Sequence, residues 1–161
     1  SEILEEVKHW NCNLVEVTGG EPLFQDKCIS LLHELLQKKY EVMLETSGSL
    51  PISSIPEDVI KIVDFKCPTS GMEKKNKWLI VNDLQSHDEV KFVIGSREDF
   101  EWAKDKIEKY DLTDRCTVLF SPSFGEIDPQ KIVKWILEDN LSVRMQLQIH
   151  KHIWVPEEKG V

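Results

Sequence analysis

The sequence predicts an α/β fold with a mostly parallel sheet. Short apolar segments alternate with amphipathic helical segments along the whole chain, which is typical of strands and helices packed in layers. Polar residues and glycines follow the predicted strands, as in parallel sheets that bind a ligand at their carboxyl ends. The length of 161 residues fits one domain with its own core, so we expect residues 1–161 to form a single domain.

The first three elements follow from apolar spacing. Apolar residues recur at helical intervals within Ser1–Trp10, with acids early and basic residues late, so this segment predicts a helix. The short apolar run Leu14–Val17 predicts a strand. Asp26–Lys39 predicts a second helix, because its apolar residues fall on one face and two lysines end it.

The next three elements are shorter. Glu41–Glu45 predicts a strand with three central apolar residues. Ile52–Ile60 predicts a loop and a short helix, since Pro56 suits the first turn of a helix. Lys61–Phe65 predicts the following strand.

The middle of the chain returns to helix and strand after a polar stretch. Thr69–Lys77 is polar and predicts a loop, and Trp78–Leu84 predicts a helical piece. Glu89–Ile94 predicts a strand. Ser96 is expected to cap the helix Glu98–Tyr110.

The last elements repeat the pattern. Cys116–Phe120 predicts a strand, and Asp128-Pro129 is a start signal for the helix Gln130–Glu138. Leu141–Ile149 predicts the final strand. Alternation along that strand places the polar residues near its end on one face, namely Gln146, Gln148 and His150.

The composition argues against some partners. The net charge of −9 is unfavourable for binding duplex nucleic acid. No apolar run approaches the roughly 20 residues of a membrane span. No signal peptide opens the sequence, so we expect a cytoplasmic protein without a membrane partner.

The four cysteines are spread too widely to form a metal motif. Cys12, Cys28, Cys67 and Cys116 form neither a CxxC pair nor an iron–sulfur run. In the cytoplasm they would stay reduced, and each is expected to be a small buried residue.

Unusual polar residues gather after the predicted strands. Carboxyl ends of parallel strands meet at one edge of a sheet, so these segments predict a common pocket. They are Thr18–Pro22, Glu45–Gly48, Lys66–Gly71, Gly95-Ser96, Ser121–Ser123, and Gln148 with His150.

The turn Thr18-Gly19-Gly20-Glu21-Pro22 is the most informative of these segments. Adjacent glycines expose the main chain, so a ligand can reach peptide carbonyls and amides without meeting a Cβ. Pro22 ends the strand. Two glycines alone would equally suit an ordinary turn between strand and helix.

Four segments together resemble one enzyme family. TGGEP resembles the motif by which radical S-adenosylmethionine (SAM) enzymes hold the methionine end of SAM. With it, the chain is similar to the 7-carboxy-7-deazaguanine synthase family over nearly all its residues. The other three segments that carry the resemblance are DFKCP at Asp64–Pro68, SPS at Ser121–Ser123, and the ending QLQIHK at Gln146–Lys151 with Ile153-Trp154.

The resemblance implies a partial (β/α) barrel of the radical SAM type and a role for several residues. SAM contacts are implied for Gly19, Gly20, Glu21, Thr46, Ser47, Lys66, Ser121, Pro122 and Ser123. Substrate contacts are implied for Thr18, His150 and Val161. Each has a plain alternative, because Lys66 suits a surface lysine, His150 a core histidine, and the serines ordinary loop positions.

The resemblance also implies the reaction and its helpers. The implied reaction converts 6-carboxy-5,6,7,8-tetrahydropterin to 7-carboxy-7-deazaguanine, with SAM, a [4Fe–4S] cluster and Mg²⁺. A flavodoxin or ferredoxin would supply the electron, and the enzyme would be a homodimer. Two alternatives remain open: another small radical SAM enzyme, such as a glycyl-radical activase, or a non-catalytic SAM-binding module.

One expected motif is absent. The family holds its cluster with CxxxCxxC, and the 161 residues contain no such run. We therefore expect the first strand and the cluster loop to be missing from this chain, its cluster ligands to lie elsewhere, and the chain alone to be inactive.

Overall fold

A computed structural model describes residues 2–155, and the predicted contact of Val161 lies outside them. The six strands are β1 (Leu14–Val17), β2 (Glu41–Thr46), β3 (Ile60–Phe65), β4 (Glu89–Ile94), β5 (Thr117–Pro122) and β6 (Arg144–Met145). The α-helices are α1 (Glu2–His9), α2 (Cys28–Gln37), α3 (Arg97–Lys109), α4 (Leu112–Arg115), α5 (Pro129–Glu138) and α6 (His150–Ile153). Short 3₁₀ turns cover Pro22–Phe24, Pro68–Ser70, Glu73–Lys75 and Trp78–Asp83.

The strands form one parallel sheet in the order of the chain, from β1 to β6. The register sets Leu14 beside Glu41, Ile62 beside Glu89, and Leu119 beside Arg144. Parallel strands in sequential order need crossovers of one hand, which carry the helices to the same side of the sheet. The predicted α/β fold with a parallel sheet is therefore confirmed.

Side chains alternate along the strands, so one face of the sheet is apolar and the other is polar. On the face covered by the helices, the core is packed with large side chains that are no more than 1% exposed, including Phe65, Phe92, Phe100 and Phe120. The other face, here called the open face, carries the alternate residues. In β2, for example, Val42 and Leu44 belong to the core, whereas Glu45 lies on the open face.

Two predicted helix starts are confirmed in detail. The Ser96 hydroxyl caps α3 by accepting a hydrogen bond from the Asp99 N–H. The Asp128 carboxylate caps α5 by accepting one from the Gln130 N–H, with Pro129 in the first turn. Both caps satisfy amide groups that the helix itself leaves unpaired.

Two local predictions are wrong, and one short helix was not predicted. The final strand extends only over Arg144–Met145, because β6 pairs with β5 on one side and no strand flanks its other side in the described part of the chain. No helix forms at Pro56. The helix α4, whose four residues include only one buried side chain, gave no amphipathic signal.

Within residues 2–155, no helix combines the length and apolar character needed to cross a bilayer.

Candidate cofactor and substrate site

The predicted strand-end segments meet at the carboxyl rim of the sheet. A cavity of about 500 Å³ lies there, next to β3, β4 and β5. Its lining includes Asp64, Lys66, Thr69, Gly95, Ser123 and Gln148. Four of the six predicted strand-end segments therefore share one cavity, whereas Thr18–Pro22 and Glu45–Gly48 contribute no residue to its lining.

The Gly19-Gly20 turn leaves its main chain uncovered. Both glycines have positive φ, 97° at Gly19 and 63° at Gly20. A Cβ added at either position would meet no other heavy atom within 4 Å. Thr18, Gly19 and Gly20 are all exposed, so the turn offers its peptide groups to a ligand. This geometry fits the methionyl end of SAM, whose ammonium needs carbonyl oxygens.

The Glu21 carboxylate fastens this turn to the end of β2. It accepts hydrogen bonds from the Thr46 hydroxyl (2.8 Å), the Ser47 N–H (2.8 Å) and the Leu23 N–H (3.1 Å), and also from the Ser47 hydroxyl. Burial alone would raise the Glu21 pKa, but the hydrogen bonds, led by those from Ser47, lower it below the usual value. The carboxylate is thus engaged by the protein. Its contact with a cofactor stays a prediction, as does that of Ser47.

Lys66 is held on the rim at both its backbone and its side chain. The Asn76 side chain accepts a hydrogen bond from the Lys66 N–H (3.0 Å) and donates one to the Lys66 carbonyl (2.9 Å). The Lys66 ammonium pairs with Asp64 at 2.6 Å and remains about a third exposed. Lys66 is therefore an oriented cation in the cavity wall, which favours the predicted ligand role over an unconstrained surface lysine.

A buried carboxylate joins two further loops of the rim. Asp99 is fully buried, and its two oxygens accept hydrogen bonds from the Thr69 and Gly95 N–H groups, both at 2.9 Å. The loop after β3 is thereby tied to the turn after β4. The cavity is bounded by backbone that carboxylate and amide side chains hold in place.

The remaining predicted residues are distributed unevenly. Ser123 lines the cavity, whereas Ser121 and Pro122 are buried within β5. His150 begins α6 and is exposed, and it does not line the cavity of Lys66. The predicted strand that would have aligned His150 with Gln148 is replaced by a helical turn.

Sequence reasoning missed a set of charges on the open face. Lys91 on β4 pairs with Glu45 on β2 at 2.7 Å, and Arg144 on β6 pairs with Glu89 at 3.3 Å. Burial would lower the pKa of Lys91, but the hydrogen bond to Glu45 raises it. Glu16 on β1 has a raised pKa because of partial desolvation and the nearby Glu45. The signal available in the sequence was the alternation of charged and apolar residues within β2 and β4.

The cysteines do not fit an iron–sulfur cluster. Cys28, Cys67 and Cys116 are buried as predicted, whereas Cys12 is exposed, contrary to the prediction. Burial raises the pKa of the Cys116 thiol to about 11. Among residues 2–155, no three His, Cys, Asp or Glu side chains are placed to hold a metal ion. These residues therefore provide no ligand set for a cluster or for Mg²⁺.

Two solved structures share this fold. QueE from Escherichia coli matches it with a TM-score of 0.70 at 17% identity, over 91% of this chain and 61% of that one. SuiB from Streptococcus suis, solved with SAM bound, matches with a TM-score of 0.60 at 12% identity, over 91% and 40% of the two chains. The predicted partial barrel of the radical SAM type is thus confirmed.

Curated relatives identify the family. The 7-carboxy-7-deazaguanine synthase of Koribacter versatilis is 43% identical, over 92% of this chain and 72% of its own. That of Chlorobaculum tepidum is 39% identical, over 99% and 74%. That of Methanospirillum hungatei is 40% identical, over 92% and 60%. No family model matches the sequence.

The chain belongs to the 7-carboxy-7-deazaguanine synthase family. This confirms the predicted family and enzyme class, a radical SAM lyase of queuosine biosynthesis. Family membership favours this class over a glycyl-radical activase.

Proposed function

We propose that the protein carrying this chain converts 6-carboxy-5,6,7,8-tetrahydropterin to 7-carboxy-7-deazaguanine with loss of ammonia. The observation that carries the proposal is the uncovered Gly19-Gly20 turn on the same rim as the oriented Lys66. The identity of the product follows from the names of the curated relatives. The geometry of the rim supports the part of the proposal in which this chain holds SAM.

The residues of this chain bind and orient SAM in this proposal. Carbonyl oxygens at Gly19 and Gly20 accept hydrogen bonds from the methionyl ammonium, and Lys66 pairs with the methionyl carboxylate. The segment Ser121–Ser123 borders the adenosyl group. When bound with its cluster, SAM supplies the radical that removes hydrogen from the substrate. Fixing both reactants in one geometry is the main contribution of the protein.

Three residues are proposed to contact the pterin. Thr18 is exposed at the end of β1, directly before the glycines. His150 is exposed at the start of α6. Val161, beyond the described residues, would contribute its terminal carboxylate, as the family resemblance implies.

Other parts of the proposal rest on the family resemblance alone. They are Mg²⁺ as a further cofactor, reduction by a flavodoxin or ferredoxin, a homodimeric state and a cytoplasmic location. The assignment of residues 1–161 to a single domain likewise stays a prediction.

The direct test is product formation. The complete gene product that carries this chain is prepared without oxygen, supplied with SAM, reductant and carboxytetrahydropterin, and assayed for 7-carboxy-7-deazaguanine by mass spectrometry. The proposal predicts product that depends on SAM. Full cluster occupancy without product would refute it.

The alternative of a SAM-binding module without catalysis has its own test. A gene product that binds SAM but holds no iron would establish this alternative instead.

A further inference from the structure

A group of exposed lysines lies on the loop that follows β3, in a chain whose net charge is −9. We call residues 72–79 the basic loop, and its lysines, Lys74, Lys75 and Lys77, are all exposed. We propose that the basic loop is the docking surface for the electron donor of this enzyme, a small acidic electron-transfer protein such as a flavodoxin. This inference rests on the proposed function, because it assigns a surface to the reductant that the reaction needs.

The backbone of the basic loop is held in one shape. The loop contains a 3₁₀ turn at Glu73–Lys75. The Lys77 N–H donates a hydrogen bond to the Gly48 carbonyl (2.9 Å), and the Asn76 side chain is hydrogen-bonded to both backbone groups of Lys66. A surface whose backbone is already ordered loses less conformational freedom when a partner binds, which favours a docking role.

The same contacts place the basic loop at the carboxyl rim. Gly48 follows β2, which pairs with β1, and β1 leads into the Gly19-Gly20 turn. Lys66 lines the rim cavity. A donor seated on the basic loop therefore lies beside the proposed SAM site. Reductive cleavage of SAM takes up one electron and breaks a carbon–sulfur bond, and the donor is oxidised by that one electron.

Two exposed apolar side chains accompany the lysines. Met72 is 41% exposed and Leu79 is 83% exposed. The neighbours of Leu79 are anchored, because Trp78 stacks on Phe65 with 4.4 Å between ring centroids and Ile80 is buried. The anchored neighbours hold Leu79 on the surface. Apolar side chains, methionine among them, with charged groups around them are typical of protein–protein interfaces.

The charges of the basic loop select an acidic partner. The loop contains three lysines and one glutamate, and none of these lysines forms an ion pair with another residue in the range 2–155. Their ammonium groups are available to carboxylates of another protein, and such charges accelerate association by steering. A chain with a net charge of −9 repels an acidic partner overall, so the basic loop also confines its binding to one place.

The test compares two double charge reversals in the complete gene product. Lys74→Glu/Lys75→Glu reverses the charge of the basic loop. Lys38→Glu/Lys39→Glu, the matched control, makes the same change in net charge at exposed positions between α2 and β2, at the opposite end of the sheet. Binding to an immobilised flavodoxin is measured by surface plasmon resonance at low and at physiological ionic strength. Product formation is measured with either flavodoxin or dithionite as the reductant.

We expect flavodoxin to bind the wild type, and to bind it more weakly as the salt concentration rises. Lys74→Glu/Lys75→Glu should lower the association rate constant at low ionic strength about tenfold or more, and product formation at limiting flavodoxin should fall by a similar factor. Leu79→Ser should raise the dissociation rate constant about fivefold, as for the truncation of a central interface contact. Product formation with dithionite should stay within about twofold in every variant, and the control should match the wild type throughout.

Several results would overturn the inference. They are no binding of flavodoxin by the wild type, binding that is insensitive to salt, and an equal loss in Lys38→Glu/Lys39→Glu. An equal loss of product with dithionite would mean that the loop serves the SAM site itself. A change in oligomeric mass in Lys74→Glu/Lys75→Glu would assign the loop to contact with a second copy of the chain.

Thermal unfolding is measured for each variant. If Lys74→Glu/Lys75→Glu does not fold, Leu79→Ser and the salt dependence of the wild type decide. Absence of product with dithionite in the wild type would count against the proposed function, whereas the binding measurements would still decide on the docking surface.

Discussion

Replacing Glu21 with glutamine should release the Gly19-Gly20 turn from β2. The amide oxygen of glutamine can still accept from the Thr46 hydroxyl and the Leu23 N–H. Its NH₂ group then faces the Ser47 N–H, which is a donor at 2.8 Å from the present carboxylate oxygen. The Ser47 hydroxyl can rotate to accept, but the N–H cannot.

One backbone N–H thus loses an ionised acceptor. Such a loss costs about 1.5–3 kcal/mol. For a protein of this size, that corresponds to a fall in Tm of about 3–12 °C, measured by differential scanning calorimetry. Glu34→Gln, on an exposed position of α2, is the matched control and should stay within about 0.5 kcal/mol of wild type.

The pH dependence gives an independent check. The folded-state pKa of Glu21 lies below its ordinary value of 4.5. Its contribution to stability is therefore complete above about pH 4.5 and is lost as the pH falls through the folded-state pKa. The stability difference between wild type and Glu21→Gln should be constant from pH 6 to 8 and should shrink below pH 4.5. A Glu21→Gln variant as stable as Glu34→Gln at pH 7 would refute the reasoning.

Three further predictions concern the rim. Gly20→Ala should weaken SAM binding by at least tenfold in calorimetric titrations, because its Cβ enters the space of the ligand. Gly125→Ala, with a similar φ of 79° and open surroundings, carries a comparable backbone strain and should leave SAM binding unchanged; equal losses in both would mean that strain alone matters. Lys66→Met should abolish the preference for SAM over decarboxylated SAM, and a retained preference would remove Lys66 from the carboxylate site. Asp99→Asn should lower the free energy of unfolding by about 1–3 kcal/mol, since an amide cannot accept from both the Thr69 and Gly95 N–H groups; a change in chemical denaturation below 0.5 kcal/mol would contradict this.

Most of the fold was accessible from local signals. The buried faces of β2 and β4 alternate strictly with polar positions, and the caps at Ser96 and Asp128 have side chains suited to their role. These signals act between near neighbours in sequence. Leu141–Ile149 was predicted poorly because its apolar residues imply a strand, whereas strand length depends on a neighbouring strand that local sequence does not reveal.

The site was predictable to the level of segments. Glycines and polar residues after strands pointed to the rim, but Thr46 lies 25 residues from its partner Glu21 and Thr69 lies 30 residues from its partner Asp99. The same holds for Lys91 and Glu45, separated by 46 residues. Such pairs depend on strand order and register, so only the folded sheet brings them together.

The central claim is that SAM binds at the carboxyl rim, over the uncovered Gly19-Gly20 turn. Hydrogen–deuterium exchange with and without SAM tests it most directly. The account predicts slower exchange in peptides covering residues 18–24, 45–49 and 66–71. Protection confined to residues 113–118, which border a cavity of about 580 Å³ at the amino ends of the strands, would contradict it.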